Sequence, residues 1–209
     1  MKRSRPHPRW FRYSGAQVKA LQHADATGQV VFVGDEPCSK NNAKKYGVIE
    51  SHEAMYDYIQ TCTEKAFYEL VRDDRPSRLY LDFDAYLADS SLEAAFDKAI
   101  AAAISLVFKA LKTLGVRTER ALVLESSGRS ECQEGKYKCS RHVHFPDAWF
   151  RSNFQDMAHF LQGVYDDALA VFHAAGFSVA WDTSVYSRNR PFRMLGCHKR
   201  GSKRVLRLK

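Results

Sequence analysis

The stretch that decides the fold is LYLDFDAY, residues 79–86. Side chains along an extended strand alternate between its two faces. Leu79, Leu81 and Phe83 therefore turn toward a core, and Tyr80, Asp82, Asp84 and Tyr86 turn the other way. The pattern predicts a strand over residues 78–86 lying on a hydrophobic layer. It also puts two carboxylates on one face, with Cα atoms about 6–7 Å apart. Such a pair reaches one hard cation or brackets two. A solvated strand face with two spare acids has the same pattern, so the strand alone leaves both readings open.

Upstream, the sequence predicts a helix at 15–25 and a strand at 29–34, then a polar, basic turn, CSKNNAKKYG (38–47). A short amphipathic helix follows at 53–63, with Met55, Tyr58 and Ile59 on one face. A strand at 66–71 leads through the turn DDRPS (73–77) into the strand of the two acids. Downstream, Ser90-Ser91-Leu92-Glu93 has the form of a capping box. It opens a long helix with Phe96, Ile100, Ala103, Val107, Leu111 and Leu114 inward and Gly115 at its end. A strand at 121–125, the tip SSGRSECQEG and a strand at 137–145 make a long-tipped hairpin. A second long helix runs from near Ser152 to Gly176, with Met157, Leu161, Val164, Ala168, Val171 and Phe172 inward. Strands at 177–181 and 192–195 close the chain. Strands interleaved with two long helices predict an α+β (mixed α/β) fold.

The 209 residues suffice for one large domain or two fused lobes. No apolar run approaches the roughly 18 residues that span a bilayer. The start, MKRSRPHPRWFRYS, is basic with no apolar stretch behind it, so it is read as a solvated arm and not as a secretory signal. A net charge of +8 favours a polyanionic partner. Five cysteines (38, 62, 132, 139 and 197) with no CxxC pair fit reduced thiols. Cys132/Cys139 and Cys197-His198 are each half of a tetrahedral zinc set, and no stoichiometric zinc is expected.

Two further segments carry chemistry. In KYKCSRHVHF (136–145), alternation puts Lys138, Ser140, His142 and His144 on one face, with Val143 and Phe145 behind. A lysine, a hydroxyl and an imidazole in a row suit a phosphate, although a half-exposed edge strand reads alike. In WDTSVYSRNRPFRM (181–194), Asp182 is followed by Arg188, Arg190 and Arg193. An acid there completes a metal site while guanidiniums clamp phosphate oxygens; the plainer reading is a basic surface loop.

In this order the three segments resemble the archaeo-eukaryotic primase superfamily, and most of all its PrimPol (primase-polymerase) branch. YELVRDDRPSRLYLDFD (68–84) is similar to that branch's YEV…LYFDLE run, KCSRHVHF (138–145) to its KFSRH strand, and DTSVYSRNRPFR (182–193) to its DxxVYTRNRxFR segment. The resemblance spans residues 13–209. It implies a single catalytic domain of two fused lobes, roughly 13–75 packed on a catalytic sheet at 76–209, with an RRM-like sheet and flanking helices. Asp82, Asp84 and Asp182 would hold two divalent ions, Mn²⁺ or Mg²⁺. Lys138, Ser140, His142 and Arg193, with Arg190 nearby, would hold the incoming triphosphate. Tyr68 would sit near the sugar, on a strand expected to pair with the DxD strand.

The activity so implied is that of a DNA primase and DNA polymerase. It transfers nucleotides from (d)NTPs onto single-stranded or primed DNA, in replication restart or damage tolerance. The expected enzyme is a monomer inside the cell, nuclear or mitochondrial in a eukaryote, with no membrane partner. Lys44, Lys45 and the N-terminal arginines would line the template groove. The sequence departs from the branch at Asp84, where many members carry Glu, in its longer hairpin tip, and in that no Cys/His zinc module follows the arginine segment, either because this is a trimmed catalytic core or because the natural protein lacks that module. That last departure makes extension a firmer expectation than priming. The alternatives are a viral or plasmid replication-initiation primase, a non-catalytic single-strand-binding module, and a metal-dependent nuclease.

Overall fold

A computed structural model of the chain describes residues 7–36 and 43–209. In chain order the elements are β1 (Arg9–Phe11), α1 (Ala16–Thr27), β2 (Val30–Asp35), β3 (Lys44–Ile49), α2 (His52–Thr61) and β4 (Phe67–Val71). Then come β5 (Ser77–Leu87), α3 (Glu93–Thr113), β6 (Leu122–Glu125), β7 (Gly128–Arg129) and β8 (Tyr137–Phe150). The last are α4 (Ala158–Gln162), α5 (Tyr165–Ala174), β9 (Val179–Trp181), β10 (Arg190–Arg193) and β11 (Arg207–Leu208). The fold is α+β, with two antiparallel sheets. The chain divides into two compact units, Met1–Leu70 with Pro191–Val205, and Val71–Arg190 with Leu206–Lys209. No helix among the described residues is long and apolar enough to cross a membrane.

The first unit is built on a sheet of order β1-β3-β2-β4-β10. Alternation along β2 serves two cores. Val31 and Val33 meet Ala20 and Ala24 of α1, while Phe32 on the opposite face meets Met55 and Ile59 of α2. The small alanines let α1 lie close on the sheet. Opposite Phe32 in the ladder is Gly47, where an added Cβ would come within 2.5 Å of the phenyl ring. β3 takes the last four residues of the basic turn expected at 38–47, and the Cys38–Asn42 part of that turn lies outside the described residues. Its lysines give no apolar alternation; pairing with β1 on one side and β2 on the other makes it a strand.

The second unit has the sheet order β11-β6-β8-β5-β9. The path β5-α3-β6-β8-α5-β9 is a βαββαβ chain whose first strand lies between the third and the fourth, the arrangement of an RRM-like sheet. One face of β5 is apolar and buried, Leu79, Leu81, Phe83, Ala85 and Leu87. The helices pack on it through Phe96 and Phe172, with the Phe83 and Phe172 rings 5.2 Å apart. α3 buries Phe96, Ile100, Ala103, Val107 and Leu111 as its periodicity predicts, whereas Leu114 is exposed past the helix end.

Three local expectations are corrected. The Asp89 carboxylate, and not Ser90, caps the turn before α3 by accepting from Ser91 N at 2.7 Å. Glu93 is drawn away by Arg141 and Tyr137 instead of closing a capping box. The second long helix is broken into a π-helical turn at Asn153–Met157, α4 and α5. Gly163 stands at the break, where a residue costing a helix about 1 kcal/mol relative to alanine lets it end. β8 runs five residues past Phe145, its pairing with β5 shifting at Arg78/Leu79. The residues that drop out there include Pro146, which has no N–H for the ladder.

Candidate functional site

The site lies on the face of the second sheet opposite α3. In the β5–β8 ladder Asp82 pairs with His142, Asp84 with Ser140 and Tyr86 with Lys138. Residues directly opposite in an antiparallel pair share a face, so the two sequence motifs meet side chain to side chain. On the other edge of β5, β9 pairs at Phe83↔Trp181, and the Asp182 N–H donates to the Asp82 carbonyl at 2.9 Å. All three candidate acids are thus carried by neighbouring backbone.

Each acid has a basic neighbour. Lys138 Nζ is 2.6 Å from Asp84 Oδ2, His142 Nε2 is 3.6 Å from Asp82 Oδ1, and an Arg190 Nη is 3.9 Å from Asp182 Oδ2. Ser140 and His142 are buried, and Asp82 and Asp84 are half-buried. Asp182 Oδ1 accepts from Ser184 N at 3.0 Å and from Ser184 Oγ at 2.5 Å, capping the turn Thr183–Val185. Arg188 is directed away, to Asp73 at 3.3 Å and over the Phe154 ring.

The loop carrying Asp182 hangs on the same strand. Tyr80 Oη donates to the Val185 carbonyl at 2.9 Å, and Tyr186 Oη returns a bond to the Tyr80 carbonyl at 2.9 Å. Trp181 Nε1 donates to Tyr186 Oη at 3.2 Å, and Asn153 Nδ2 to the Ser187 carbonyl at 2.9 Å. Burial holds the Tyr186 phenol far above its ordinary pKa, so it stays a neutral donor. Sequence reasoning missed these residues. Tyr80 alternates in step with Asp82 and was the available signal; Asn153 left none.

Tyr68 and Arg193 belong to the first unit. The strand expectation for Tyr68 is corrected: β4 pairs with β2 in the five-stranded sheet, because both edges of β5 are already taken by β8 and β9. Tyr68 Oη donates to Asp35 Oδ2 at 2.9 Å, Lys44 pairs with the same carboxylate, and the Lys44 ammonium lies 4.1 Å from the Tyr68 ring centre. Burial, followed by the Asp35 charge, pushes the Tyr68 phenol up, so it remains protonated. Arg193 is buried at the end of β10. Lys45 lies over the Trp10 ring, and Arg9 over Phe11.

The donors on the site face fit a hard divalent ion. They are carboxylate oxygens, and Asp84 Oδ1 is buried without a hydrogen-bond partner among the described residues. Among those residues no group of three or more His, Cys, Asp or Glu is already gathered as a metal site. The pair at hand is Asp82 and Asp84, with Asp182 tied to them through its backbone. For zinc the thiols are poor: burial pushes Cys139 up to about 11, while Cys132 is exposed on the hairpin tip.

Residues 38–209 match the family model described as the C962R protein N-terminal AEP domain, AEP being the archaeo-eukaryotic primase type. No curated protein matches the chain. Domains of this family generally use divalent metal ions.

Proposed function

The chain belongs to the archaeo-eukaryotic primase superfamily, and we propose that it is a DNA-directed primase-polymerase that extends strands from (d)NTPs. The observation that carries this reading is the ladder that sets Asp82 opposite His142 and Asp84 opposite Ser140, with Lys138 reaching Asp84. It sets carboxylates and candidate phosphate-binding groups on one face, a combination that suits a nucleoside triphosphate with its cations. A row of lysine, serine and histidine beside the acids favours a triphosphate over the single scissile phosphodiester of a nuclease.

In this reading Asp82, Asp84 and Asp182 hold Mn²⁺ or Mg²⁺. When bound, such ions lower the pKa of the attacking hydroxyl and offset charge on the leaving pyrophosphate. The chain's own groups do the rest. Ser140 Oγ donates to a phosphate oxygen, and Lys138 and Arg190 place positive charge against the phosphates. His142 donates from its ring. The primer 3′ hydroxyl gives up its proton to solvent as its oxygen forms a bond to the α-phosphorus, the bond from that phosphorus to the bridging oxygen breaks, and pyrophosphate leaves. Tyr68 and Arg193 keep the nucleotide-binding role that the resemblance implies. A part in replication restart or damage tolerance rests on the PrimPol resemblance alone.

Primer extension on a DNA template with each nucleotide pool and Mg²⁺ or Mn²⁺ tests the reading. Wild-type protein is expected to extend the primer, and Asp82→Ala with Asp84→Ala to abolish extension while keeping DNA binding. A double variant extending at near wild-type rate would refute it.

A further inference from the structure

Between the two candidate phosphate-binding residues of β8 stands Arg141, which alternation turns to the opposite face, opposite Phe83. Its side chain is 0% exposed. A buried guanidinium is strongly unfavourable unless its donors are met, and here they are. Nε donates to Asp97 Oδ1 at 2.9 Å and Nη2 to Glu93 Oε1 at 2.6 Å, both acids of α3. Nη1 donates to the Ser140 carbonyl at 3.1 Å and to Ser127 Oγ. Lys209 Nζ joins the cluster at 2.8 Å from Asp97 Oδ2 and 3.3 Å from Glu125 Oε2.

The consequence falls on Ser140. Its carbonyl accepts from Arg141 Nη1 and from Ser126 N at 3.1 Å, and its N–H donates to Ser127 Oγ at 3.4 Å. Both backbone groups of that residue are held by one connected set of donors and acceptors anchored on α3. Only a planar fork reaches the two acids, the serine hydroxyl and the carbonyl together; a lysine ammonium cannot.

We infer that Arg141, acting through Ser127, is a positioning residue that fixes the Ser140 backbone and so aims the Ser140 hydroxyl and His142 imidazole at the nucleotide phosphates. The inference rests on the reading of Ser140 and His142 as phosphate-binding groups. Arg141 itself touches no substrate, since it lies behind the sheet.

The test compares Ser127→Ala and Arg141→Lys with wild type in dNTP titrations on a fixed primed template, in direct titration of dNTP binding, and in thermal unfolding. Ser127→Ala keeps the ion pairs and is expected to fold. It should raise the dNTP KM about fivefold, the scale of one hydrogen bond, and leave the KM for primed DNA unchanged. Arg141→Lys should raise the dNTP KM further. A dNTP KM within about twofold of wild type in Ser127→Ala would overturn the inference, whatever the melting temperature does. Should Arg141→Lys not fold, Ser127→Ala decides alone. If wild type transfers no nucleotide, the proposed function fails first. Weaker dNTP binding by Ser127→Ala would then still support the positioning role, and equal binding, or none by wild type, would end it.

Discussion

The ammonium of Lys138 lies 2.6 Å from Oδ2 of Asp84, a carboxylate whose other oxygen is buried without a hydrogen-bond partner among the described residues. The cation nearest a proposed metal ligand is therefore a residue proposed to bind phosphate. Lys138 offsets the carboxylate charge here; were Asp84 to hold a divalent ion, the ion would take over that role and leave the lysine for the nucleotide.

This relationship predicts opposite effects from one substitution. Lys138→Met removes a positive charge beside the ion site, so Mn²⁺ should bind severalfold more tightly. The same change should weaken dNTP binding about tenfold, the loss of a charge-assisted contact. Mn²⁺ titration followed by electron paramagnetic resonance and a separate dNTP titration measure the two. Parallel losses of both would contradict the exchange.

The pairing also revises what removal of the acids does to the fold. Two carboxylates on one strand face repel each other, which would make their loss neutral or stabilising. With Lys138 ion-paired to Asp84 and His142 opposite Asp82, Asp84→Ala instead leaves a mostly buried ammonium without its partner. A loss of about 2 kcal/mol is expected, well below the stability of a folded domain. Urea unfolding of Asp84→Ala, Lys138→Met and the double variant checks this, with the double variant recovering part of the loss.

His144 gives the protein an acid limit. Burial lowers its pKa from 6.5 to about 4. Below pH 6.5 the unfolded chain takes up a proton that the folded chain refuses until about pH 4. The neutral buried ring is thus favourable above 6.5, and stability falls as pH drops from 6.5 to 4, by about 3 kcal/mol in all. Denaturation curves across that range should show the decline, and His144→Asn should flatten it. An unchanged slope in the variant would assign the decline to other groups.

Tyr68 is held by Asp35 through its hydroxyl and covered by Lys44. If its ring reads the sugar, Tyr68→Ala should change the ratio of ribonucleotide to deoxyribonucleotide incorporation. Asp35→Asn, which loosens the ring without removing it, should shift the ratio the same way by less. Competition assays with both nucleotide pools measure this; an unchanged ratio with activity retained would remove Tyr68 from sugar selection.

What the sequence determined by itself was local and periodic. The alternation in LYLDFDAY set which residues of β5 are buried, and the 3.6-residue stripe from Phe96 to Leu111 set the inner face of α3, because each needs only a strand or helix on an apolar layer. The motif residues on β8 were legible for the same reason. Only the tertiary structure decided the rest. The register that sets Asp82 against His142 joins segments about sixty residues apart in the chain, which no local pattern specifies. β3 became a strand through its neighbours, and the helix after Ser152 broke at Gly163 despite a continuous apolar stripe. Asp182 owes its place to Tyr80 and Tyr186, and Ser140 its fixed backbone to Arg141 and Ser127. A buried polar group must find its partner wherever the fold supplies one, and those partners become visible only when the strands and helices come together.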